Sequence, residues 1–198
     1  KKKKKKGTTN GAEIGSFDGY SLYKISKKFK TKKKILIEPN KFGTKIAKSK
    51  GLCVHNSYLD KFLSKKYNNQ FDLVICKHVI EHVKDYQKFS DNLSNILAPD
   101  GILIIETPDL DMVFRKGITR VFILQHLNYF SIISLKKIFK NLSLFDYKTT
   151  SQENSVITAL KKGKVKEKTI NLKIKKKLFK KTLKKSVNLL NIFCKKNN

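Results

Sequence analysis

Two near-continuous apolar runs, FDLVICK (Phe71–Lys77) and ILIIETP (Ile102–Pro108), constrain this chain most. A strand that buries only one face alternates apolar and polar residues; an unbroken run of this length suits a parallel strand covered on both faces. Between the runs, Phe89, Leu93, Ile96 and Leu97 recur at helical spacing over Tyr86–Leu97, and APDG (Ala98–Gly101) then stops the helix with Pro and Gly. Strand, helix, strand is the unit of an α/β fold with a mostly parallel sheet.

The same rhythm extends upstream and downstream. Ala12–Ile14 reads as a short strand ending at Gly15, followed by a helix from Gly19 to Phe29. KILIE (Lys34–Glu38) is a buried-type strand, Thr44–Ser49 a short helix and Leu52–His55 a third strand. Past the fifth strand, a helix begins over Ser134–Phe139. LFDYKT and SVITALK then form a hairpin across the polar turn SQEN, adding an antiparallel edge. The organisation reads as a Lys-rich head over residues 1–10, one α/β domain over 11–162 and a Lys-rich tail over 163–198. In the tail, Ile174, Leu178, Leu183, Val187 and Leu190 mark one apolar stripe of an amphipathic helix.

Charge narrows the function classes. The 198 residues carry 45 Lys+Arg against 15 Asp+Glu, a net charge of +30, yet Arg115 and Arg120 are the only arginines. Phosphate-gripping surfaces favour the planar fork of Arg, so this lysine excess disfavours nucleic acid as the partner. It fits a solvated surface, compositional bias, or peripheral contact with an anionic membrane through the cationic tail. Cys53, Cys76 and Cys194 are odd in number and widely spaced, which suits a reducing, cytoplasmic setting. No stretch is apolar for the ~20 residues a spanning helix needs, and no metal-ligand set is read.

The chemistry concentrates in EIGSFDG (Glu13–Gly19), between a strand and a helix, where an open α/β sheet places its ligand. The middle glycine of a dinucleotide fingerprint falls at Phe17, which disfavours a pyrophosphate cofactor. The next strand ends in Glu38, positioned to accept bonds from both hydroxyls of a ribose. With FDLVICKHVIEHV and LAPDGILIIETP added, the chain resembles the class I S-adenosylmethionine-dependent methyltransferases from about Gly11 to Leu160.

The resemblance implies a Rossmann-like sheet in the order 3-2-1-4-5-7-6, the last strand antiparallel, and S-adenosylmethionine as cofactor. It implies that Glu13, Gly15, Ser16, Asp18 and Gly19 line the methionine moiety and that Glu38 takes the ribose diol. Pro39, Ser57 and Tyr58 lie near the adenine; Lys77 and His78 stand beside the methyl-donor pocket. LQHLNYFSIISLKKIF (Leu124–Phe139) resembles a segment of sugar and cell-envelope methyltransferases, in which His126 aligns with a proposed base. His126 and His78 are therefore the candidate catalytic residues, with a loop-ordering role as the alternative for His126. His82 is expected to hydrogen-bond to the loop, and residues Asp109–Leu124 to form an acceptor lid carrying both arginines. The first strand is polar, and the helix that the family places ahead of it is not found, so the chain reads as truncated at its start. The expected activity is methyl transfer to a small molecule: a sugar, nucleotide-sugar or lipid-linked envelope intermediate, anionic where the arginines engage it. An RNA or protein methyltransferase and a catalytically silent scaffold are the alternatives.

Overall fold

The computed structural model describes residues 9–118, 121–150 and 154–163. Seven strands form one sheet: β1 (Thr9–Ile14), β2 (Thr31–Ile37), β3 (Cys53–His55), β4 (Phe71–Lys77), β5 (Leu97–Pro108), β6 (Ser143–Thr150) and β7 (Ser155–Lys161). Their spatial order is β3-β2-β1-β4-β5-β7-β6, as the resemblance implies. The pairs from β3 through β5 are parallel, while β7 runs antiparallel to both β5 and β6.

The helices are α1 (Tyr20–Lys28), α2 (Lys41–Ser49), α3 (Lys61–Lys66), α4 (Tyr86–Ile96), α5 (Leu110–Lys116) and α6 (Ile132–Ile138), with a 3-10 turn over Ile80–His82. Both faces of the sheet are covered. The larger core gathers Ile14, Ile37, Val74, Leu93, Leu103 and Leu135; a smaller one on the α1–α2 side joins Leu22, Leu36, Ala47 and Leu52. Burial on both faces is what the apolar runs of β4 and β5 require. Cys76 lies wholly inside, and burial pushes its thiol far above the ordinary range, so it is inert.

The polar first strand sits at the centre of the sheet. Asn10 is tied to its neighbours there: its amide donates to Asp72 Oδ2 at 2.8 Å and its Nδ2 donates to the Gln70 carbonyl at 3.1 Å. Gly11 admits Leu22, whose Cδ1 would lie 2.6 Å from any Cβ there. APDG departs from the expected turn. It belongs to β5 as a bulge: Phe71 pairs with Leu97 and Leu73 with Ile102, so the intervening residues are pushed out with Asp100 at φ 64. The lid region also differs, since residues 110–116 are helical, capped by Asp109 and ended by Gly117 at φ 67. Thr9 and Asn10, read as the end of the Lys-rich head, begin β1 instead, while residues 1–8, Arg120 and the tail beyond Gly163 with its expected helix lie outside the described residues.

Candidate active site

A cleft of about 580 Å³ opens at the carboxyl ends of β1, β2 and β4. Its floor is made by turns leaving those strands. Gly15, at φ 65, bends the chain away from β1, and a Cβ there would meet Val79 Cγ2 at 2.6 Å. Glu38 follows β2 and is 6% exposed. Its carboxylate ties two loops together: Oε2 accepts the Phe17 amide at 2.9 Å and Oε1 the Asn40 amide at 2.7 Å. Each oxygen keeps a second lone pair, so the group is oriented by the backbone and still able to accept. Ile14, Ile37, Leu59, Val79, Val83 and Phe89 supply apolar wall.

The expected site residues divide into three sets. Gly15, Glu38, Pro39, Ser57, Tyr58 and His78 line the cleft. Glu13 and Ser16 lie beneath the glycine turn. Glu13 Oε2 accepts the Leu22 amide at 2.7 Å, capping α1 from the strand because Gly19, the N-cap residue, has no side chain to do so. Glu13 Oε1 and Ser16 Oγ are buried without a hydrogen-bond partner among the described residues, and burial raises the Glu13 carboxyl above the usual range. The remaining residues do not line the cleft directly. Asp18 pairs with Lys50, and Gly19 packs against Leu52 and Leu36. Lys77 pairs with Glu106 at 2.9 Å, and His126 stands behind His82, their ring centres 4.9 Å apart.

At the end of β4, His78 stands between two carboxylates. His78, at φ 52, places Nδ1 3.2 Å from Glu81 Oε1 and Nε2 3.7 Å from Glu106 Oε1. The Glu106 and Glu81 carboxylates beside the ring raise its pKa to about 9, which favours the imidazolium near neutral pH. Glu81 is held in turn: its Oε2 accepts the Thr107 hydroxyl at 3.0 Å.

His82 Nδ1 donates to the Gln125 carbonyl and His126 Nδ1 to the Val121 carbonyl, each at 2.8 Å. A carbonyl only accepts, so both rings carry their proton on Nδ1 when neutral and leave Nε2 bare. His82 thus bonds to the loop as expected, while lining the cleft. One donor atom from each of Glu81, His82 and His126 lies within 4.8 Å of the others. This grouping, able to hold a proton or a cation, was not legible in the sequence. Glu81 and His82 are adjacent there, but only the loop's return across the cleft brings His126 to them.

Residues 5–144 match a family model described as a methyltransferase domain. The chain belongs to this family, the class I S-adenosylmethionine-dependent methyltransferases. The methyltransferase is 42% identical over 66 residues to the ubiquinone biosynthesis O-methyltransferase of Rickettsia canadensis, covering 33% of this chain and 27% of that protein. The match to the enzyme of the same name from Rickettsia bellii is 44% over 52 residues, covering 26% and 22%. The chain therefore spans about a quarter of the length of these curated relatives.

Among solved structures, the N-methyltransferase NodS from Bradyrhizobium japonicum, in complex with S-adenosyl-L-homocysteine, superposes with a TM-score of 0.60 at 16% identity, covering 79% of each chain. An S-adenosylmethionine-dependent methyltransferase from Thermotoga maritima gives 0.59 at 20% identity, covering 79% of this chain and 83% of that one. These likenesses concern the fold.

The methyltransferase's cleft fits the family's cofactor on its own chemistry. The orphaned oxygens of Glu13 and Ser16 call for polar partners, Glu38 suits a diol, and the apolar wall suits a heteroaromatic ring.

Proposed function

We propose that this chain transfers a methyl group from S-adenosylmethionine to a hydroxyl of a small molecule. One observation carries the reading: a buried carboxylate, Glu38, is held by two backbone amides at the rim of a cleft that also contains the Gly15 turn. In the proposal Glu38 accepts the ribose hydroxyls, Pro39 and Tyr58 flank the adenine, and Ser57 stands near it. Glu13 and Ser16 take the methionine amine and carboxyl end beside Gly15. Asp18 and Gly19 set the shape of the turn, and Lys77 and His78 close the donor side. The bound cofactor supplies an electrophilic methyl group on a sulfonium.

Alignment of donor and acceptor then does most of the work. The acceptor's proton goes to the His82–His126 pair, whose Nδ1 atoms donate to backbone carbonyls and leave Nε2 to accept. Oxygen as the accepting atom is supported by the O-methyltransferase relatives. A sugar or envelope intermediate is the substrate class that the segment around His126 favours, and Arg115 at the end of α5 would favour an anionic one. The test uses S-adenosylmethionine labelled in its methyl group, with hydroxyl-bearing sugars, nucleotide-sugars and phenols as acceptors. Base-stable label on the acceptor is expected, reduced about 10²–10⁴-fold in His126→Ala with little change in cofactor affinity. Transfer to none of these acceptors, or full activity in His126→Ala, would count against the reading or against the base.

A further inference from the structure

The loop over residues 121–127 is built inside out. Four of the eleven exposed large hydrophobic side chains among the described residues lie in it: Phe122, Ile123, Leu124 and Leu127, with Leu124 at 96% exposure. Its polar backbone points inward. The Leu127 and Asn128 amides donate to the Glu81 carbonyl at 2.8 and 3.0 Å, Asn128 Nδ2 donates to the Val83 carbonyl at 2.7 Å, and the Gln125 carbonyl accepts from His82. The apolar tips are thus held outward by a hydrogen-bonded frame on the wall of the cleft. A surface that fixes several large apolar groups in water marks an interaction site.

Charge selects the occupant. Exposed Lys84 follows Val83 on that wall beside exposed Asp85, and exposed Arg115, 3.9 Å from Asp109, and exposed Lys116 close α5, which precedes the loop in the sequence. A second copy of the chain would bring its own +30 against these cations. A surface anionic outside and apolar beneath matches both features. We propose that the 121–127 loop inserts into the headgroup region of an anionic lipid bilayer, placing the cleft mouth at the membrane. This stands independently of which acceptor the enzyme methylates. Among the described residues no helix is long and apolar enough to cross a membrane, so the contact would be peripheral.

The full chain is sedimented with vesicles of pure phosphatidylcholine and with vesicles containing about one quarter phosphatidylglycerol. The wild type is expected to pellet with the anionic vesicles. The double variant Leu124→Ser/Leu127→Ser should bind about tenfold or more weakly, since it removes two apolar contacts. Both side chains are exposed, and unchanged circular dichroism checks that the variant folds. The chain contains no tryptophan, so Leu124→Trp gives a background-free probe. Its emission should shift to the blue on anionic vesicles and be quenched by brominated lipid. Equal pelleting of wild type and double variant would assign binding to the lysines alone and overturn the proposal. So would an unshifted emission, no pelleting of the wild type, or a dimer without lipid that the double variant dissolves.

Discussion

His78 shows how one residue's surroundings set its chemistry. A free histidine near pH 7 is mostly neutral, but here Glu106 and Glu81 hold the proton and raise the pKa to about 9. The folded state therefore binds a proton that the unfolded chain releases near 6.5. The resulting stabilisation is fully present below about pH 6.5 and is lost as the pH rises through about 9. Urea unfolding should show wild-type stability falling across that window, and His78→Gln should show a flatter profile. Parallel profiles would mean that the pair of carboxylates does not hold the proton. The sequence shows the histidine and Glu81 three residues apart, but Glu106 enters only through pairing of β4 with β5. Nothing local to His78 signals its charge.

At the scale of elements, long periodic segments were legible, and two of the short helices were not. The strand Phe71–Lys77 has the bounds read from its apolar run, and α4 stops one residue before the expected end. The helices α3 and α5, six and seven residues long, escaped because two turns carry too little periodicity to register. Their capping residues, Asp60 and Asp109, were the available signals. β1 read as weak because its polar residues find partners in the β4 region, which no local pattern reveals. Gly15 and Glu38 were legible as a turn and a strand end, but the amides that orient Glu38 were not. One of them begins at Asn40, the cap of α2, whose side chain accepts from Phe42 and Gly43. Asn40→Ala should cost about 1 kcal/mol by removing this cap, lowering the melting temperature by roughly 2–4 °C. An unchanged melting temperature would mean that α2 is held by its packing on the sheet alone.

At the scale of the whole molecule, charge opposes compactness. With 45 basic and 15 acidic residues, mutual repulsion outweighs the attraction of the surface ion pairs. Salt screens both, and repulsion is the larger quantity. Raising the ionic strength from about 0.01 M to about 0.15 M shortens the screening length from about 30 Å to about 8 Å. The melting temperature should rise over that range; a fall would show that specific ion pairs dominate. Fold and cleft together make the central claim that the chain holds S-adenosylmethionine at the carboxyl ends of β1, β2 and β4. Isothermal titration of the full chain with S-adenosylmethionine tests it most directly. The account predicts saturable one-to-one binding that Glu38→Ala weakens by about 1.5–3 kcal/mol, through loss of the hydrogen bonds to its carboxylate. No heat of binding to the wild type, or equal affinity in a folded Glu38→Ala variant, would contradict it.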